Sequence, residues 1–210
     1  MPHFANLTVS QFLEAVSSPN PTPGGGTASA VAAAIGTALL IMVSGLARSR
    51  TNTDEEKAAL ADIRTTLVGV RDRLVRLADA DSDAFDQVMN AYRLPKATDE
   101  EKVRRKQAVQ AALRTASQTP LDVLDAAGDA LAAARTVAAH GNRSAVSDIR
   151  VALELLEAAS SGAAANVEIN IVSLDDEAFR KTMADAIVDL TNTITEDAAA
   201  ARSALAPAAG

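Results

Sequence analysis

The chain has 210 residues, 48% of them hydrophobic and 22% charged, with a formal net charge of −7. This balance suits a soluble globular protein with a sizeable core, not a disordered tail or a membrane bundle, and disfavours a broad phosphate-backbone surface. With no cysteine or tryptophan, one tyrosine and only His3 and His140, the chain lacks disulfides, thiol nucleophiles, a base-stacking platform and a multi-histidine metal site. Neither a metal nor a nucleic-acid partner is expected, and chemistry falls to carboxylates, amides, hydroxyls and the backbone.

Prolines at positions 2, 19, 21, 23, 95, 120 and 207 leave long proline-free stretches, which predicts long helices between the breaks. Thr8-Val9-Ser10-Gln11, Thr53-Asp54-Glu55-Glu56 and Thr98-Asp99-Glu100-Glu101 each read as a capping box at a helix start. Thr119-Pro120-Leu121-Asp122 reads as a further start, a cap residue followed by proline at the first helical position. The predicted helices run over about 8–17, 25–50, 54–93, 99–118, 120–139, 147–172 and 176–204. No segment alternates as a strand does, so the expected fold is all-α. Short joints favour an antiparallel bundle of long helices around a buried, Ala-rich central helix, forming one domain over residues 1–210.

The first of these helices with chemical interest begins in Pro23-Gly24-Gly25-Gly26-Thr27. Backbone N–H groups at a glycine-rich helix start attract anions, and absent side chains permit close ligand approach. No Gly-Lys-Ser/Thr ending and no preceding strand accompany it, which rejects a P-loop or dinucleotide fingerprint. A tight turn and close helix packing are the plain alternative for the glycines. Gly24 to Ala47 carries no charge and is long enough to span a bilayer, yet its residues are mostly Ala, Ser, Thr and Gly. Residues 1–23 contain no Lys or Arg, unlike a signal peptide. A buried helix of a soluble, cytoplasmic protein is therefore expected.

On the third helix Leu60, Ile63, Leu67, Val70, Leu74, Leu77, Asp81, Ala84 and Val88 recur at steps of three and four. Asp81 thus interrupts a core-facing stripe, whereas Asp79 and Asp83 lie ~200° round the helix and are expected in solvent. A carboxylate at such a position is protonated, paired, bonded to a neighbouring helix terminus, or functional. Desolvation raises its pKa above the ordinary ~3.9, which suits a general base or acid. Arg93-Leu94-Pro95-Lys96 ends this helix with two cations, which complement its macrodipole or meet a carboxylate-bearing substrate. Further along, Asp148, Ala152, Leu155, Ala159, Gly162, Asn166 and Asn170 share one face of the sixth predicted helix. Three polar groups on a small apolar face line a cleft, or else cap the helix and bond a neighbouring backbone; Ser147 beside Asp148 is a candidate cap.

Taken in order, these segments resemble the cyclodeaminase/cyclohydrolase family, which includes the C-terminal domain of formiminotransferase–cyclodeaminase and free-standing bacterial methenyltetrahydrofolate cyclohydrolases. The resemblance rests on Pro21-Thr22-Pro23-Gly24-Gly25-Gly26-Thr27-Ala28-Ser29-Ala30, then Asp79 to Phe85, then Arg93-Leu94-Pro95-Lys96 with Glu100-Glu101-Lys102. It continues in Gly141-Asn142, Ser147-Asp148, Gly162 with Asn166-Val167 and Asn170, and Asp176-Glu177-Ala178-Phe179, covering residues 8 to about 200. It implies a homodimeric helical fold, a reduced folate as substrate and no further cofactor. It also implies one of two reactions: hydrolysis of 5,10-methenyltetrahydrofolate to 10-formyltetrahydrofolate, or cyclisation of 5-formiminotetrahydrofolate with release of ammonia. The implied catalytic aspartate lies in Asp79-Ala80-Asp81, and the inward stripe selects Asp81; Asp148 would assist as orienter or second proton carrier. Gly24, Gly25, Gly26, Ser147, Asn166 and Asn170 would hold the pterin or an activated water, and Lys96 the substrate's glutamate tail. Thr27 stands where the resemblance leads us to expect serine, keeping a hydroxyl. The 210 residues leave no room for a formiminotransferase domain, so hydrolysis is the favoured expectation, with a separate formiminotransferase as partner of the deaminase alternative. A non-enzymatic folate-binding scaffold is the remaining alternative.

Overall fold

The computed structural model describes residues 4–46 and 52–205. Every regular element among them is helical: α1 Val9–Ser17, α2 Gly25–Gly45, α3 Asp54–Tyr92, α4 Asp99–His140, α5 Val146–Ile171 and α6 Glu177–Leu205, with short 3-10 turns at Phe4–Asn6 and Arg143–Ala145. The expected all-α class holds. All three predicted capping boxes form, with Thr8, Thr53 and Thr98 each accepting from the N3 backbone while Gln11, Glu56 and Glu101 reach back. Of the span expected for the central helix, residues 47–50 lie outside the described residues, as do His3 and Pro207.

One predicted break is corrected. The helices expected at 99–118 and 120–139 are a single helix, α4, with Pro120 inside it. Proline has no N–H, so the carbonyl of Ala116, four residues back, loses its helical donor. The side-chain amide of Asn170 on α5 supplies the missing bond, Nδ2 donating to Ala116 O at 2.6 Å. A donor from a distant part of the chain thus lets a proline sit in a buried helix interior, where leaving the carbonyl unmet would cost about 1–3 kcal/mol.

Central helix α2 packs against α3 on one side and α5 on the other. The contacts fix direction: Gly26 lies against Asp81 and Gly45 against Arg64, while Gly25 lies against Asn166 and Gly36 against Ala152. Both neighbours therefore run antiparallel to α2. Small residues make the approach close; a Cβ on Gly36 would stand 3.0 Å from the Ala152 carbonyl, and one on Gly162 would stand 2.4 Å from Ser29 Oγ. Alanine, leucine and valine from α2 to α6 fill the main core, and a smaller cluster forms around Ala91, Leu113 and Leu174. α2 is long and apolar enough to cross a membrane by length and composition, and most of its apolar stretch is buried inside the fold.

Candidate active site at the start of the central helix

The start of α2 lacks the usual local cap: Gly24, in extended backbone, has no side chain with which to bond the first free N–H groups. Asp81 of α3 takes that place from outside the helix. Thr27, the third residue of α2, donates both its hydroxyl, to Asp81 Oδ2 at 2.9 Å, and its backbone N–H to the carboxylate. The positive end of the α2 dipole faces the same group. Gly26 makes the approach possible, since a Cβ there would stand 2.2 Å from Asp81 Oδ1. The glycine run therefore has a definite purpose at Gly26, admitting a carboxylate against the helix terminus.

Burial raises the Asp81 pKa above its ordinary value, and this outweighs the two Thr27 bonds, which favour the charged form. Among the described residues no cation pairs with Asp81. The outcome is a desolvated carboxyl held by neutral donors, able to accept and return a proton. Thr27 and Ser82, which the sequence pattern does not single out as site residues, also belong to this cluster, both buried and with oxygens 3.1 Å apart. The retained hydroxyl of Thr27 was the available signal. Asp79, expected in solvent, instead accepts from the backbone N–H of Phe4 at 2.6 Å and ties the N-terminal 3-10 turn to α3.

The other expected site residues divide sharply. Gly24, Gly25 and Gly26 are at the cluster, and Asn166 faces it from α5, its Nδ2 3.4 Å from where a Gly25 Cβ would lie. That Nδ2 also donates to the Gly162 carbonyl of its own helix at 2.7 Å, which fixes the amide's orientation. Asn170 is engaged in the Ala116 bond, so its donor belongs to the fold. Asp148 and Ser147 are not brought to Asp81: they begin α5, eighteen residues from Asn166, or about 27 Å along the helix. Antiparallel packing of α5 on α2 places them at the opposite end of the central helix, so Asp148 does not assist Asp81 within one chain. Lys96 is also distant and exposed, in the loop beyond the end of α3, which carries the chain about 16 Å past Asp81. No group of three or more His, Asp or Glu side chains that could hold a metal ion is present among the described residues.

Residues 8–189 match the family model described as formiminotransferase-cyclodeaminase. A methenyltetrahydrofolate cyclohydrolase from Methylorubrum extorquens is 40% identical over 174 residues, 83% of this chain and 84% of its own length. A formimidoyltransferase-cyclodeaminase from Gallus gallus is 33% identical over 80% of this chain, which spans 31% of that larger protein. In structure, the chain is similar to formiminotetrahydrofolate cyclodeaminase from Thermotoga maritima, with a TM-score of 0.85, 29% identity, and coverage of 95% of this chain and 96% of that one.

Proposed function

The chain belongs to the formiminotransferase-cyclodeaminase family, and from that premise we propose that it is a methenyltetrahydrofolate cyclohydrolase with Asp81 as general base. The observation that carries the chemistry is the Asp81 carboxylate, desolvated, held by Thr27 and admitted to the α2 terminus by Gly26. In the reaction Asp81 takes a proton from the water that attacks the amidinium carbon of 5,10-methenyltetrahydrofolate. The tetrahedral adduct then collapses, the bond to one of its two nitrogens breaks, and the protonated Asp81 returns a proton to that leaving nitrogen. The product is 10-formyltetrahydrofolate. A carboxyl with a raised pKa serves both steps, because it neither binds the proton too weakly nor keeps it. Asn166 and the backbone of Gly24 to Gly26 offer donors and acceptors for the pterin or the water.

A second reading has its own support. The Thermotoga maritima cyclodeaminase is covered over 96% of its length, so a chain of this extent carries that name without a transferase domain. Chain length therefore does not separate the two reactions, and the preference for hydrolysis rests on the 40% identity to the cyclohydrolase. As a cyclodeaminase, the protein would take its substrate from a separate formiminotransferase.

The reading includes a cytoplasmic homodimer with no cofactor beyond the folate. Exposed Val9 and Leu13 on α1 and Ile35 and Met42 on α2 support the self-association, as an apolar surface of this kind favours burial. Purified protein is assayed with 5,10-methenyltetrahydrofolate, following loss of the methenyl absorbance above the uncatalysed rate. Acceleration is expected; its absence, with ammonia released from 5-formiminotetrahydrofolate, would transfer the assignment to the deaminase, and inactivity on both would leave the scaffold.

A further inference from the structure

Two hydroxyls stand behind Asp81 in the core. Thr27 is 0% exposed and Ser82 4%. Thr27 Oγ1 lies 2.9 Å from Asp81 Oδ2, 3.1 Å from Ser82 Oγ and 3.3 Å from the Ala78 carbonyl. Thr27 has a single hydroxyl proton to distribute among these oxygens. The carboxylate is both the nearest and the only charged acceptor, so the proton is directed there. Among the described residues the Ser82 hydroxyl has no other hydrogen-bond partner, and its proton is met only by donation to Thr27 Oγ1. One assignment therefore satisfies every group: Ser82 donates to Thr27, and Thr27 donates to Asp81.

We propose that Thr27 is a positioning residue for the reaction, its hydroxyl, oriented by Ser82, holding Asp81 Oδ2 and so fixing the carboxylate that exchanges the proton in catalysis. This rests on Asp81 being the general base. The donor aimed at Oδ2 holds the carboxylate against the start of α2, where Gly26 admits it. The polarised Ser82–Thr27 pair strengthens the bond to the charged form and so opposes the effect of burial. The pair thus holds the orientation of the Asp81 carboxylate and favours its ionised form against burial.

Thr27→Val, Thr27→Ser, Ser82→Ala and Asp81→Asn are compared by kcat, KM and the pH dependence of kcat/KM, alongside carbon-detected NMR titration of the side-chain carboxyl of Asp81. Thr27→Val is expected to lower kcat about tenfold or more with KM within about threefold, a loss matching one hydrogen bond to a charged group. It should also shift the acid limb of kcat/KM, and the Asp81 titration, to higher pH, since a donor to the charged form has gone. Thr27→Ser should restore rate and limb, and Ser82→Ala should give a smaller shift in the same direction. If Thr27→Val proves poorly folded, Thr27→Ser against Ser82→Ala still decides the matter. An unmoved limb and titration in Thr27→Val or Ser82→Ala, with Asp81→Asn inactive, would overturn the positioning role and leave the base assignment intact. An active Asp81→Asn would overturn the base assignment itself, whatever the Thr27 variants do.

Discussion

Asp81 and Asp197 are two carboxylates drawn into this fold, and their surroundings answer them in opposite ways. Asp197 on α6 is 7% exposed and receives a guanidinium, Arg135 Nη1 of α4, at 3.0 Å. Asp81 receives a threonine hydroxyl, a backbone N–H and the end of a helix, with no cation beside it among the described residues. The Arg135 guanidinium fixes Asp197 as a joint between α4 and α6. Neutral donors permit the charge without compelling it, so the group remains able to exchange a proton. The two acids differ in partner more than in depth of burial, and that difference is what the proposed role of Asp81 draws on.

The largest expected effect comes from exchanging the roles of these two residues. Asp81→Ala removes both the proposed base and the external cap of α2, and turnover is expected to fall about 10²–10⁴-fold. Asp197→Ala should leave turnover unchanged and lower stability by about 1.5 kcal/mol, the lower end for a hydrogen bond between charged groups because Arg135 is 59% exposed. Steady-state rates and urea unfolding of the pair test the contrast; an active Asp81→Ala or an inactive Asp197→Ala would dissolve it.

Gly26→Ala comes next. Its Cβ would meet Asp81 Oδ1 at 2.2 Å, so the carboxylate or the helix start must move. Displacing a reactive group by about 1 Å costs on the order of 10²-fold in rate. Gly25→Ala meets only the Asn166 amide at 3.4 Å and should remain within a few-fold of wild type. Equal effects at the two glycines would argue against the close approach as the reason for the run.

The stability of the protein should also carry the sign of the Asp81 shift. Burial raises its pKa above 3.8, so the folded state binds the proton more readily than the unfolded chain. Its contribution to stability falls as pH rises from the unfolded value through the raised one. Asp81→Asn, neutral throughout and still an acceptor for Thr27, should be more stable than wild type at neutral pH, with the advantage disappearing as the solution is acidified below the unfolded value. Urea unfolding across that range measures it, and an advantage that grows on acidification would reverse the sign argued here.

The smallest effect concerns the fold alone. Asn170→Ala leaves the Ala116 carbonyl without a donor and should cost about 1–3 kcal/mol while turnover is retained. Adding Pro120→Ala returns a backbone N–H to that carbonyl and should recover part of the loss, a coupling that a double-mutant cycle reads directly.

That pair also shows which parts of the molecule are legible in the sequence. The starts of α1, α3 and α4 are local events, a threonine and a glutamine or glutamate three residues apart, and they read correctly. Thr119-Pro120 has the local form of another start, yet what decides it is Asn170, fifty residues away. Asp81 is legible because it breaks a periodic stripe. Asp148 shares a face with Asn166, and periodicity places both on one side of α5, but only the direction of packing against α2 assigns them to opposite ends. Thr27 and Ser82 pass for small core residues in alanine-rich helices until α2 and α3 bring their hydroxyls together.

Asp81→Asn isolates the proton transfer proposed for Asp81. Turnover of 5,10-methenyltetrahydrofolate by wild type and Asp81→Asn, with helicity followed by circular dichroism, tests it most directly, because asparagine keeps the acceptor for Thr27 and removes only the basicity. A loss of at least about 100-fold is expected, with the helical spectrum intact. A variant that turns over within a few-fold of wild type would contradict it, and Asp81 would then be no more than the cap of the central helix.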